Sequence, residues 1–241
     1  MYFMTTILVI HAKPLTERKT YMEELLKDFT GKVDYILDAD RDELTDEMLA
    51  EFFKPGCEVD KKSNAASCAI KHLLACRYIV EHDLEGALIL EDDIELHDRF
   101  FEKFERSMQE YRQRYSHLPV LISYEDSSLQ FVPRSQRVKG QWLYESPLNR
   151  VRFTGAYYLN RAAAEAIWKD VQENKCDISV DHYQVKLYRE GKIQILWCEP
   201  PLATQGSFTG RFSSSIGRIR KFEAIRWKLK YAYKRLLYWL R

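Results

Sequence analysis

Short apolar runs alternate with segments of helical spacing along most of this chain, and that alternation limits its fold more than any other feature. Residues 6–10, 33–37, 87–90, 120–123, 151–159 and 193–197 are apolar runs of strand length. Between them, 16–29, 64–81, about 98–114 and 161–172 repeat apolar residues every three or four positions, and another helix opens near Asp181. A strand buried on both faces reads as continuous hydrophobics, whereas an amphipathic helix shows one stripe. Strand and helix in alternation predict an α/β fold, a mostly parallel sheet with helices on both faces. Residues 127–150, punctuated by Pro133, Gly140 and Pro147, read as a hairpin or mobile flap, and the Gly/Ser-rich 204–217 reads as a loop.

With 46% hydrophobic and 13% aromatic residues among 241, the chain can bury a real core, which excludes a disordered protein. Charge is balanced overall at +1 but not locally. Residues 217–241 carry nine Lys/Arg and one acid, a net of +8, which leaves −7 on the remainder. An acidic body argues against nucleic acid, and a basic tail argues for an anionic surface. The five cysteines are odd in number and lack a paired CxxC spacing; Cys68 and Cys76 fall in a largely apolar helical stretch and read as reduced core thiols. The opening "MYFMTTILVIHAKP" has no basic segment before its short apolar run, so it reads as a first strand rather than an export signal. No run approaches the roughly 20 apolar residues of a membrane span. A reducing, cytoplasmic setting is expected.

The run 87–90 passes without a break into Glu91, Asp92 and Asp93. Three like charges at a strand end repel unless water or a cation takes the charge. Ligands of open α/β sheets sit at the carboxyl ends of strands, and hard carboxylate oxygens suit Mg²⁺ or Mn²⁺. Alternate residues of an extended segment point the same way, so Glu91 and Asp93 are expected to share a face.

The triplet has company. "VIHAKPLTERK" (9–19), "SCAIKHLLAC" (67–76), "ALILEDDIEL" (87–96), "FTGAYYLNRAAAEAI" (153–167), "ISVDHY" (178–183) and "PPLATQ" (200–205), followed by "SSSIG" (213–217), stand in the order in which glycosyltransferase family 25 carries its motifs. The chain resembles that family's bacterial lipopolysaccharide and lipooligosaccharide β-galactosyltransferases. The resemblance covers about 5–217 and implies a GT-A-like fold with a single Rossmann-like sheet, a UDP-sugar donor and Mn²⁺ or Mg²⁺ as cofactor. It makes Glu91-x-Asp93 a DxD-like motif, with Asp93 a direct metal ligand, Glu91 on ribose or on the metal or its water, and Asp92 open to either task. It places Arg18 on the donor's diphosphate or uridine, where the guanidinium fork suits phosphate. Asp38 and Ala39 would cradle the nucleoside, His72 would support the donor site, and Thr154 and Gly155 would admit the sugar closely. Asp181 would be the general base; helix capping, worth about 1 kcal/mol, is its structural alternative. His182, Gln205 or water would complete the metal shell. Ser214 and Ser215 would bind diphosphate as the 204–217 loop closes. The family usually has Asn where His11 stands.

The C-terminal segment 218–241 falls outside those motifs and is expected to form a second unit beside a 1–217 transferase domain. Phe222, Ile225, Leu229, Ala232, Tyr233, Leu236, Leu237 and Leu240 make a 3.6-residue stripe flanked by Lys and Arg, with Trp227, Tyr231, Tyr238 and Trp239 interleaved. A helix docked on the body and a helix lying on anionic lipid both fit; the basic flanks favour lipid. The resulting expectation is a metal-dependent inverting transferase that moves a hexose, galactose from UDP-galactose, onto a lipooligosaccharide acceptor. It would sit in the cytoplasm, peripheral at the inner face of the cytoplasmic membrane. Another UDP-sugar (glucose or N-acetylhexosamine), or an inactive family member acting as a binding module, remain open.

Overall fold

A computed structural model describes residues 5–213 and 221–240. In chain order the elements are β1 (Thr6–Ile10), α1 (Thr16–Leu25), β2 (Val33–Ile36), α2 (Asp46–Phe52), α3 (Asn64–Glu81), β3 (Gly86–Glu91), β4 (Ile94–Leu96), α4 (Phe100–Arg114) and β5 (Val120–Ser123). They continue with β6 (Leu143–Glu145), β7 (Ala156–Asn160), α5 (Arg161–Asn174), α6 (Val180–Arg189), β8 (Gln194–Cys198), β9 (Ala203–Gln205), α7 (Gly206–Thr209) and α8 (Lys221–Leu240).

Seven strands form one sheet in the order β2-β1-β3-β7-β5-β8-β6, and β4 pairs with β9 apart from it. Strands β1, β2, β3, β5 and β8 point one way, while β7 and β6 run against them. The sheet is therefore α/β and mostly parallel, as the alternation predicts. Its strands read as unbroken hydrophobics because both faces are covered. Ile7, Val9, Leu88, Leu90, Val120 and Ile122 enter one core with Met22 of α1 and Phe100, Phe104, Met108 and Tyr111 of α4. The alternate residues Leu8, Ile10, Ala87, Ile89 and Leu121 enter the other core, with Ile70 and Leu73 of α3 and Ile167 and Val171 of α5. Burying each such side chain contributes roughly 1.5–3 kcal/mol relative to exposure.

Several expectations change. The helix expected over 16–29 stops at Leu25. The strand expected over 151–159 begins only at Ala156, which leaves Thr154 and Gly155 as an approach to the sheet edge. The stretch 127–150 supplies β6, an outer strand on β8, with its Trp142 and Leu143 amides on Glu110 of α4. The expected loop over 204–217 starts as β9 and α7 instead.

Helix α8 lies against the body. Trp227 donates to the Ser127 carbonyl (2.9 Å), Tyr231 to Asp126 (2.8 Å), and Arg150 to the Tyr238 hydroxyl (2.6 Å). Phe131 meets Tyr231 and Tyr238 edge to face, a geometry worth about 0.5–1.5 kcal/mol beyond burial. The aliphatic stripe is on the other side: Ile225, Leu229, Tyr233, Leu236 and Leu240 are all exposed. Among the described residues no helix is long and apolar enough to cross a membrane.

Candidate active site

The carboxyl ends of β1, β2 and β3 meet at one edge, and the antiparallel β7 brings its amino end to that same edge. A cavity of about 230 Å³ opens there, lined by His11, Arg18, Asp40, Ser67, Cys68, Lys71, Glu91 and Asp92 among others. The triplet that looked like a repulsive charge cluster is resolved one carboxylate at a time.

Glu91 is held by three side chains. Its Oε1 accepts from Thr154 Oγ1 (3.1 Å) and meets His72 Nε2 (3.3 Å), and its Oε2 accepts from Gln205 Nε2 (3.2 Å). Three residues nominated from sequence, Thr154, His72 and Gln205, thus converge on one carboxylate. His72, fully buried on α3, is anchored through Nδ1 to the Tyr157 hydroxyl at 3.0 Å.

Asp92 is neutralised within the protein. Arg18 donates to Oδ1 at 2.6 Å and His11 Nδ1 lies 2.8 Å from Oδ2. Of the two tasks open to Asp92, the structure gives it a third: it positions Arg18. That guanidinium also reaches the Ser213 carbonyl (2.7 Å) and comes within 3.6 Å of Asp93. Arg18 is therefore the counter-ion of Asp92 and Asp93.

Asp93 has a hydrogen bond from Ser207 and Arg18 nearby, but one of its oxygens stays unmatched. Only 4% exposed, it sits in the turn between β3 and β4, and its Oδ1 is buried without a hydrogen-bond partner. Burial first, then the Glu91 charge, pushes its carboxyl up to about 7. Gly206 donates its N–H to the Asp93 carbonyl at 2.7 Å, which fastens the start of α7 to this turn. An orphaned, buried carboxylate oxygen beside a second carboxylate fits a hard divalent cation, so the residues present suit Mg²⁺ or Mn²⁺.

Gly155 shows how closely the floor is packed. A Cβ there would lie 2.6 Å from Glu125 Oε2 and 2.7 Å from Gln205 Cγ. The space expected to admit a sugar at Gly155 is taken, on that side, by protein atoms under Glu91. Gly155→Ala is therefore expected to push Gln205 off Glu91 and destabilise the chain by about 1–3 kcal/mol. Thermal melting checks this, since each kcal/mol lowers Tm by roughly 2–4 °C in a chain of this size; an unchanged Tm would refute the packing argument.

Asp181 does not cap its helix. Ser179 occupies that position, and Asp181, in the first turn of α6, accepts the N–H of His182 at 2.9 Å. Its side chain is 15% exposed and lines a small cavity with Arg152, Phe153, Tyr157 and Trp197. It is near enough to the triplet that Glu91, Asp92, Asp93 and Asp181 all push the Cys68 thiol up, after burial.

His182 is a correction. Its side chain is 59% exposed, and its ring turns to Ser179 (3.0 Å) and Asp181 (3.2 Å), with no contact to Glu91 or Asp93 among the described interactions. Adjacent helix positions diverge by about 100°, so a helix that aims Asp181 inward turns His182 outward. Gln205, in contrast, does reach Glu91. Asp38 is exposed and Ala39 is buried at φ +70, a left-handed turn, so it is Asp40 that faces the cavity. Ser214 and Ser215 lie outside the described residues.

Four side chains at this edge were not nominated from sequence: Asp40, Lys71, Glu125 and Asp126. Asp40 meets the buried Lys71 ammonium at 3.0 Å, and Lys71 also donates to the Leu37 carbonyl (2.7 Å). A lysine in an otherwise apolar helix face was the available signal. Glu125 is fully buried beneath Gly155, its carboxyl pushed well up by burial and by Glu91. Asp126 accepts from Thr204 (2.6 Å) and from Tyr231 of α8. "VLISYEDS" shows the same signature as "LILEDD", an apolar run ending in acids.

Among solved structures, the chain is similar to a glycosyltransferase involved in glycosylation of the major capsid of PBCV-1, with 12% identity, TM-score 0.45, and 83% of this chain and 93% of that one covered. It is similar to A197 from STIV at 14% identity and TM-score 0.41, covering 90% and 98% of the two chains. Mouse xyloside xylosyltransferase 1 follows at 12% identity and TM-score 0.39, covering 78% and 83%. Among curated proteins none matches. The model of glycosyltransferase family 25, described as LPS biosynthesis protein, matches residues 4–184. That span takes in the first strand, the Arg18 helix, His72, Glu91, Thr154 and Asp181, and the chain belongs to glycosyltransferase family 25.

Proposed function

We propose that this glycosyltransferase is a metal-dependent inverting enzyme that moves galactose from UDP-galactose onto a lipooligosaccharide acceptor. The observation that supports it most is the orphaned Asp93 oxygen beside the Glu91 cradle, at the edge of a cavity that Arg18 and Lys71 also line. In this reading the acceptor hydroxyl oxygen bonds to the anomeric carbon as the bond to the diphosphate breaks, and Asp181 takes the hydroxyl proton. Arg18, positioned by Asp92, pairs with diphosphate oxygens. His72, Thr154 and Gln205 keep Glu91 in place. Asp93 and Glu91 would hold Mg²⁺ or Mn²⁺, which when bound would supply charge neutralisation for the departing diphosphate.

Binding measured across UDP-galactose, UDP-glucose and UDP-N-acetylhexosamines, with Mn²⁺ and with chelator, tests this. UDP-galactose should bind best and only with metal. Tighter binding of another sugar would replace the donor, and absence of both binding and donor hydrolysis would leave a binding module.

The same reading places the enzyme in the cytoplasm, at the inner membrane face. Helix α8 supports it by presenting exposed aliphatics opposite the face docked on the body, with Lys228 and Lys230 beside them. Leu229 and Leu236 are 69% and 56% exposed, so Leu229→Glu/Leu236→Glu should leave Tm within about 2 °C while releasing the protein from anionic vesicles. Removing the whole helix should instead lower Tm sharply, because Trp227, Tyr231 and Tyr238 leave with it. Undiminished co-sedimentation of the double variant would end the membrane proposal.

A further inference from the structure

Cys68, His72 and Glu91 bring a sulfur, a ring nitrogen and a carboxylate oxygen within 4.8 Å of one another. Cys68 and His72 are one turn apart on α3 and so share a face; Glu91 reaches them from the end of β3. The helix expectation made Cys68 a core thiol, but it is only partly buried and lines the cavity next to Glu91. The surrounding bonds are those of a supported ligand set. His72 Nδ1 is tied to the Tyr157 hydroxyl, which fixes the ring and turns Nε2 toward Glu91. Glu91 is steadied in turn by Thr154 and Gln205. Metal-bound histidines commonly have their other nitrogen anchored in this way, and ligating carboxylates are commonly hydrogen-bonded.

The donor chemistry differs from that of Asp93. One thiolate, one imidazole and one carboxylate form a softer set than oxygens alone, suited to Zn²⁺ rather than Mg²⁺. We propose that Cys68, His72 and Glu91 form a Zn²⁺ site in the wall of the cavity, with its fourth position open to solvent. The thiol is neutral in the metal-free protein, because burial and four carboxylates oppose its ionisation. A cation reverses that balance and takes the thiolate, so binding expels a proton. The site needs neither donor nor acceptor and does not depend on the transferase reading. Because Glu91 belongs to both sets, Zn²⁺ here would compete with the donor's cation for it.

Co²⁺ titration of the full chain tests this without any sugar present. Expected are thiolate-to-Co²⁺ charge-transfer absorption in the near ultraviolet, its removal by Zn²⁺, and release of a proton on binding. Cys68→Ser should abolish the absorption and weaken Zn²⁺ binding at least tenfold; Cys57→Ser should alter neither. No charge-transfer absorption in the unaltered chain at saturating Co²⁺ would overturn the site, a result that needs no variant to fold. Absorption that survives Cys68→Ser and vanishes in Cys57→Ser would overturn it equally. A failed donor assay would leave these readings untouched.

Discussion

Asp181→Asn is expected to leave UDP-sugar affinity near that of the unaltered chain and to lower transfer by about 10²–10⁴-fold. The amide is nearly isosteric but cannot take a proton from the acceptor hydroxyl. Loss of a helix cap is a poor rival explanation, because Ser179 holds the capping position and Asp181, further into the first turn, bonds only to His182, through its N–H and its ring, among the described bonds at that helix start. A drop in turnover without a drop in Tm separates the two roles. Turnover reduced less than about tenfold would move the base elsewhere, and Glu125, fully buried under Gly155, would then need the same test.

Asp93→Asn should act in opposite directions on stability and on binding. The Asp93 carboxyl is pushed up to about 7, above the roughly 3.9 of an unfolded aspartate. The metal-free folded chain therefore holds this proton over a range where the unfolded chain has lost it. No penalty exists below about pH 4; stability falls as pH rises from there to about 7 and then levels. Removing the charge should stabilise the metal-free chain at pH 8 by on the order of 1–3 kcal/mol once structural relaxation is allowed for, and so raise its Tm. The difference should disappear below about pH 4. Metal-dependent UDP-sugar binding should be lost in the variant, and in the unaltered chain it should strengthen as pH rises through about 7. Melting against pH with chelator, and donor titration with Mn²⁺, check the two halves. Unchanged donor affinity in Mn²⁺ would remove Asp93 from the metal.

Arg18 links the carboxylates after β3 to the C-terminal part of the chain, because the same guanidinium holds Asp92 and the Ser213 carbonyl. Helix α8 reaches the cleft floor by another route. Tyr231 and Trp227 grip Asp126 and Ser127, Ser127 Oγ accepts from the Gln205 amide (2.8 Å), and Gln205 holds Glu91. Removing the tail is therefore expected to disturb the cradle as well as any surface attachment.

What the sequence determined by itself is local and periodic. Unbroken apolar runs required strands buried on both faces, and 3.6-residue stripes required covering helices; α3 has the bounds read for it, Asn64–Glu81. An apolar run ending in carboxylates marked the sheet edge, and the motif order marked His72, Thr154 and Gln205 as its neighbours. Only the tertiary structure decided which group meets which. Strand order brought β5 to β7, and with it Glu125 beneath Gly155, a juxtaposition that no spacing along the chain encodes. The turn after β2 put Asp40, two residues beyond Asp38, into the cavity. Helix rotation turned His182 to solvent while keeping Asp181 at the cleft. The tail's stripe was legible, but its second, aromatic face docks on the body, because Asp126, Ser127 and Phe131 stand there to receive Trp227, Tyr231 and Tyr238. Periodicity reports which side chains share a face of one element; partners contributed by distant elements depend on how the chain crosses the sheet, and that is settled only when the cores on both faces close together.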